Sequence, residues 1–222
     1  MNEGMFFLKT TLKLTGLSEL AGKLPEYAVI TDDPMRTKML ASHWLDNAKA
    51  IYELRGLVGY SGNYKDAALA LITAGFGETS ALLHLHDAYL LGVRRFIYMG
   101  ECVSRVPDVK LRDVVIAQGG DAELTSAALR ASIQFSIPAL MRDVATDDRL
   151  FLKKTDISGD VVDFASGAVA GYAAAQGIAA ISILTVSQNT ASGERMEEHE
   201  RQSRMHAAAQ LVFETFALDA QL

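Results

Sequence analysis

Three short stretches carry residues able to hold or attack a small molecule: Gly75-Phe76-Gly77, Gly100-Glu101-Cys102 and Asp163. Glycines between a strand and a helix start let backbone N–H groups approach an anion or a sugar. The same spelling also serves a plain tight turn, and it lacks the lysine of a P-loop and the third glycine of a dinucleotide fingerprint. Glu101 follows a strand, and ligands of open α/β sheets gather at the carboxyl ends of strands; as a loop residue it would instead be solvated. Asp163 opens an Ala-rich helix, where a carboxylate either caps the dipole or grips a hydroxyl in a pocket. His84 and His86 are two apart on one helix and point to different faces, so packing or surface roles are expected of them. His199 and His206 sit among Glu197, Glu198, Glu200, Arg201 and Arg204, which reads as a solvated helix face with intrahelical ion pairs. There is no nucleophile elbow, Cys–His pairing or zinc spacing, so no metal or cofactor is expected.

These residues need a scaffold that alternates strands and helices. Residues 27–31 read as a strand, and Asp32-Asp33-Pro34 then opens a helix through about 50. Residues 56–63 and 67–73 read as two strands joined by a turn, followed by the glycine loop and a helix over 78–91. A strand over 95–99, a loop over 100–108, a strand over 113–117 and a helix over 123–131 continue the pattern. The charge-rich 141–160 reads as a mobile loop or lid. Residues 164–186 could be mistaken for a membrane span, but they are Ala- and Gly-rich and Gly177 marks a helix end before the β-branched run Ile181, Ile183, Val186. One long amphipathic helix over 194–216 closes the chain. The expected fold is a single α/β domain over 1–222, with 1–25 as an N-terminal extension.

Composition narrows the function classes. Of 222 residues half are hydrophobic, enough for a sizeable core. The net charge of −6 supplies no global positive field for a nucleic acid or an anionic membrane, so neither is an expected partner. The single cysteine, Cys102, cannot form an intrachain disulfide, and the first residues have the wrong charge order for a secretory signal. Cytoplasm is the expected compartment.

Four stretches then carry a resemblance: Ile30-Thr31-Asp32-Asp33-Pro34-Met35-Arg36-Thr37-Lys38, the run from Leu54-Arg55-Gly56 to Lys65, Gly75-Phe76-Gly77, and Val106-Pro107-Asp108 through Ile116. In order and spacing they resemble bacterial purine nucleoside phosphorylases of the hexameric type, over most of the chain from about Tyr27. The resemblance implies a three-layer α/β sandwich with a mixed, partly barrel-like sheet, and a homo-oligomer of two to six copies with shared sites. It implies an N-glycosidic bond cleaved by phosphate or, in a related branch, by water.

Carried over residue by residue, the implied phosphate site keeps Arg36 and Arg55, the latter reaching a neighbouring subunit. Its glycine becomes Asp32, its third arginine Tyr98, and its serine Glu101 beside Gly100. Two carboxylates there should reject phosphate, since a like-charge contact near 4 Å costs roughly 4 kcal/mol at an effective dielectric of 20. Alternatively Asp32 and Glu101 pair with Arg36 and Arg55 and fill the site, or receive a cationic ligand group. The ribose signature appears as Val162-Asp163-Phe164-Ala165, and the acid after Thr185-Val186-Ser187 is Gln188, which can hydrogen-bond a base but cannot protonate it. Residues 117–136 are shorter than the family pattern.

The leading expectation is an enzyme acting on a modified nucleoside or related polar metabolite without phosphate. Glu101, Asp163 and Gln188 would be its catalytic groups. Asp32, Arg36, Arg55, Gly75, Phe76, Tyr98, Gly100, Phe164 and Ser187 would be its binding groups. The alternatives are a non-catalytic binding or regulatory homologue, an inactive subunit of a mixed oligomer, and a residual phosphorylase or nucleosidase.

Overall fold

A computed structural model describes residues 15, 17, 24–149, 159–203 and 205–221. The strands are β1 (Tyr27–Thr31), β2 (Asp46–Leu54), β3 (Leu57–Tyr64), β4 (Ala67–Thr73), β5 (Arg95–Ser104), β6 (Val114–Ala117), β7 (Ala139–Arg142), β8 (Val144–Thr146), β9 (Val161–Asp163) and β10 (Ala179–Asn189). The helices, numbered in chain order, are α1 (Pro34–Trp44), α2 (Glu78–Leu90), α3 (Ala122–Gln134), α4 (Ser166–Gln176), α5 (Glu198–Ser203) and α6 (His206–Asp219).

The sheet runs β2-β3-β4-β1-β5-β10-β6-β7, and β9 joins β8 to β5. Strands β4, β1, β5 and β10 are parallel, while β2, β3, β6 and β9 add antiparallel pairs. Only Asp143 separates β7 from β8, so β5-β10-β6-β7/β8-β9 closes a ring at one end of an otherwise open sheet. This is the partly barrel-like sandwich expected from the sequence. Alternate residues of the parallel strands serve opposite faces. Val29 and Ile97 pack under α1, α3 and α6 with Leu40, Leu124, Phe213 and Phe216. Ile30, Phe96 and Tyr98 pack under α2 and α4 with Leu85, Ala88 and Val169.

Several expectations are corrected. The helix from Pro34 stops at Trp44, because Leu45 turns extended and 46–54 becomes the edge strand of a hairpin with β3. Its turn, Arg55-Gly56, has φ of 55° and 78°, the left-handed pair that tight hairpins use. Cross-strand pairing overrides the helical propensity of the Asn-Ala-Lys-Ala run. The strand expected to end at 99 continues to Ser104, since β10 and β9 extend its ladder on both sides, so Gly100 and Glu101 lie in a strand and not in a loop. The single C-terminal helix is two, α5 and α6, broken at Met205, which is buried. Of the proposed lid, 141–146 falls in β7 and β8 with Asp143 between them, and residues 150–158 lie outside the described residues, as does most of the extension over 1–25.

Gly177 closes α4 in the left-handed conformation, as its sequence position implied, and β10 begins two residues later. Among the described residues no helix is long and apolar enough to cross a membrane. His84 is buried, with its ring Nδ1 2.9 Å from the Ser80 carbonyl oxygen, and His86 contacts the Tyr172 hydroxyl at 2.7 Å.

On α2, Asp87 is fully buried and accepts a hydrogen bond from the Thr15 hydroxyl. Burial pushes its carboxyl from the ordinary 3.8 to about 6, against the lowering effect of that hydrogen bond. A carboxyl raised on folding stabilises fully below its unfolded value, and that contribution is lost as pH rises through the folded one. Asp87→Asn should therefore melt higher than the native chain above pH ~6, with the difference shrinking toward pH ~4. A pH series of thermal melts checks this; a constant difference would show that Asp87 does not titrate in that window.

Candidate functional site

The carboxyl ends of β4, β1, β5 and β10 meet at one edge of the sheet, the place where parallel sheets bind ligands. A buried hydroxyl cluster sets the spacing there. Thr37 Oγ1 of α1 lies 2.6 Å from Thr31 Oγ1 and accepts from Thr73 Oγ1 at 2.8 Å, so α1 is keyed to the ends of β1 and β4. The two aspartates before α1 then divide their work. Asp33 caps the helix, its Oδ1 accepting from the Met35 N–H at 2.7 Å, while Asp32 turns inward and is 2% exposed.

Arg36, in the first turn of α1, is fully buried. Its Nη1 donates to Asp32 Oδ1 and its Nη2 to Glu101 Oε1 at 2.7 Å. The second oxygen of Glu101 accepts from Arg201 Nε of α5 at 2.8 Å. The result is a chain of alternating charges, Asp32–Arg36–Glu101–Arg201, that neutralises itself inside the protein. Helix α5 is held over it by a two-point contact of Arg112 Nη2 with Glu200 at 2.8 and 2.9 Å. Burial raises the Asp32 carboxyl and Arg36 opposes that rise. Asp32 Oδ2, Arg36 Nε and the Tyr98 hydroxyl have no hydrogen-bond partner among the described residues.

Tyr98 is fully buried, and burial, reinforced by Asp32 and Asp163, pushes its hydroxyl well above the usual tyrosine value. Its ring crosses Gly100 so closely that a Cβ there would lie 2.7 Å from the hydroxyl oxygen, which explains the glycine. Asp163, paired in register with Cys102, is fully buried. It accepts four hydrogen bonds, from Thr146 Oγ1 and Ser166 Oγ at 2.7 Å each, Ser166 N at 2.8 Å and Ala165 N at 3.3 Å. Here it anchors the entry into α4. Burial raises its carboxyl value against the pull of those donors.

Gly75 and Gly77 have φ of 81° and 92°, conformations only glycine takes without strain, and they turn β4 into α2. The α2 N-terminus is already faced by a carboxylate: the Glu78 N–H donates to Asp148 Oδ2 at 3.3 Å. Burial, with Asp148 and Asp147 nearby, raises the Glu78 carboxyl. Phe76 is 62% exposed and meets Phe164 edge to face, with ring centroids 6.3 Å apart. Ser187 is the extra residue of a β-bulge between Val186 and Gln188, with its hydroxyl 3.5 Å from the Cys102 carbonyl oxygen, and Gln188 is exposed.

The structure thus joins Asp32, Arg36 and Glu101 directly and sets Tyr98, Gly100 and Asp163 beside them along β5 and β9. Phe76 and Phe164 meet as a pair. Arg55 does not join them: it is exposed at the hairpin tip, and the second arginine on Glu101 is Arg201. In the sequence Arg201 reads as part of a solvated helix, and indeed it also contacts Glu198 at 3.2 Å. The signal that could have found it is the imbalance of two inward acids against one inward arginine.

No protein family model matches the chain. It is 26% identical over 223 residues to a purine nucleoside phosphorylase DeoD-type 2 of Aliivibrio fischeri, covering 88% of this chain and 94% of that one. It is 27% identical over 224 residues to the protein of that name from Vibrio cholerae, covering 87% and 94%, and 26% identical to a DeoD-type enzyme of Haemophilus ducreyi, covering 90% and 96%. The crystal structure of purine nucleoside phosphorylase from Toxoplasma gondii in complex with immucillin-H superimposes with a TM-score of 0.81 at 19% identity, over 90% of this chain and 94% of that one, a likeness of fold. Near-full-length similarity to the DeoD-type enzymes, together with a matching fold, supports the nucleoside phosphorylase superfamily for this chain.

Proposed function

We propose that this protein binds a nucleoside-like metabolite at the carboxyl edge of its sheet and acts on it without inorganic phosphate. The observation that carries this reading is Arg36: its guanidinium is fully buried and spends both terminal nitrogens on Asp32 and Glu101. An anion entering there would have to displace two carboxylates that neutralise the arginine at contact distance. The exposed Phe76 edge against Phe164 supplies an aromatic wall for a planar ring. Arg55, exposed at its hairpin tip, remains the residue offered to a neighbouring subunit's site in a homo-oligomer. Cytoplasm as the compartment rests on the one cysteine, buried and without a disulfide partner.

Purified protein incubated with purine, pyrimidine and 5′-modified nucleosides, with and without phosphate, should show phosphate-independent release of base and sugar by mass spectrometry. Release that requires phosphate would overturn this reading. A second reading, binding without turnover, is favoured by Asp163, whose two oxygens are fully engaged in structural hydrogen bonds. It predicts a rise in melting temperature with a nucleoside that is recovered unchanged.

A further inference from the structure

The aromatic pair at the carboxyl edge of the sheet is flanked by carboxylates. A Cβ on Gly77 would lie 3.1 Å from Asp148 Oδ2, which places that acid beside Phe76. Phe164 follows Asp163 directly, and its ring centroid is 6.3 Å from that of Phe76. Glu78, half-buried in the first turn of α2, feels the charges of Asp148, Asp147 and Asp163 and the opposing one of Arg149. Arg149 is itself paired with Asp147 at 3.3 Å. Asp163 accepts four hydrogen bonds from neutral donors, which hold its carboxylate without cancelling the charge. Two buried atoms at the same edge point the same way. The Tyr98 ring runs along Gly100 toward the end of β5, so its hydroxyl reaches the level of Asp32 just past β1. That hydroxyl and Asp32 Oδ2, both on buried residues, have no partner among the described residues. A carboxylate oxygen can only accept, so the partner it calls for is a hydrogen-bond donor or a positive charge. Arg36 Nε is unpartnered too, but it belongs to a guanidinium that Asp32 and Glu101 already neutralise.

We propose that the ligand of this edge carries a positive charge in its ring, as an N-glycoside of a cationic heteroaromatic base such as an N-alkylated purine or a pyridinium. The exposed Phe76 ring attracts a cation over its face, and the surrounding acids raise the local concentration of one. A neutral nucleoside gains neither. The charge also changes what the leaving group needs. A neutral base leaves as an anion unless it gains a proton, and Gln188, near the end of β10, cannot give one. A cationic base needs no proton. Its bond to the sugar carbon breaks with the electron pair passing to the ring nitrogen, which becomes neutral, while the oxygen of water bonds to that carbon and one proton goes to solvent. This chemical step rests on the phosphate-independent reading, whereas the preference for a charged ring rests on the acids and Phe76.

Matched pairs of ligands test it on the full chain: inosine and guanosine, each beside its N7-methylated cation, in phosphate-free buffer. Isothermal titration calorimetry reads binding, and mass spectrometry reads base release over protein-free controls. Each cation should bind about tenfold more tightly than its neutral counterpart and be cleaved in preference to it. Asp148→Asn and Glu78→Gln should each cut the binding ratio about threefold, with thermal melts verifying the fold. Added salt should shrink the ratio in the native chain without any substitution, because half-exposed acids are screened. Neutral nucleosides bound or cleaved as well as the cations would overturn the proposal and leave phosphate-independent turnover standing. Cations bound in preference but released by neither route would do the reverse, sinking turnover and keeping the charged-ring preference. A preference that neither salt nor the two variants reduce would overturn the role given to the acids.

Discussion

Arg36→Ala is expected to be the most damaging single change in this protein, lowering stability by about 3–5 kcal/mol. It leaves Asp32, 2% exposed, and one oxygen of Glu101, 3% exposed, with no cation beside them. In a chain of this size that corresponds to a fall in melting temperature of roughly 6–20 °C. Arg36→Lys keeps the charge but cannot serve two carboxylates as a planar fork does, and should fall between. The informative companion is the triple variant Asp32→Asn/Arg36→Met/Glu101→Gln, which removes the charges together and should regain much of the loss. Buried ion pairs destabilise chiefly when broken and not when replaced whole. Thermal melts of the set decide the matter. If Arg36→Ala melts like the native chain, the guanidinium is not structural and its role as a ligand-binding arginine returns.

Asp163→Ala is the second large effect, a loss of about 2–4 kcal/mol. It deprives the N–H groups of Ala165 and Ser166 and the hydroxyls of Thr146 and Ser166 of one shared acceptor in a dry environment. Asp163→Asn keeps one carbonyl oxygen and should cost about half as much. Chemical denaturation measures the cost, and nucleoside release by the same variants separates two roles. If Asp163 only anchors β9 to α4, Asn should restore activity in step with stability. If it moves a proton, Asn should stay inactive even where stability returns.

Much of the scaffold was legible because it follows from local rules. The bounds of β1 and β4, the Asp-Pro start of α1, the glycine turn into α2 and the Gly177 end of α4 each rest on backbone preferences that neighbouring residues express by themselves. What failed locally failed for a shared reason. Residues 46–54 became a strand because β3 was there to pair with them, and 100–104 stayed a strand because β10 and β9 flank them. Both depend on partners far away in the chain.

The candidate site divides in the same way. Residue types and their order carried the resemblance to the nucleoside phosphorylases, the strand ends where the candidate site lies, and the acids at Asp32 and Glu101 where the resemblance implied neutral groups. Only the tertiary structure decided that these acids turn inward onto Arg36, that Asp163 accepts four hydrogen bonds at the entry into α4, and that the second cation is Arg201 from a helix 100 residues further on, while Arg55 stays at the surface. Side-chain chemistry is written in the chain, but the partner that neutralises a buried charge is chosen by which strands and helices pack together, and sequence spacing does not encode that distance.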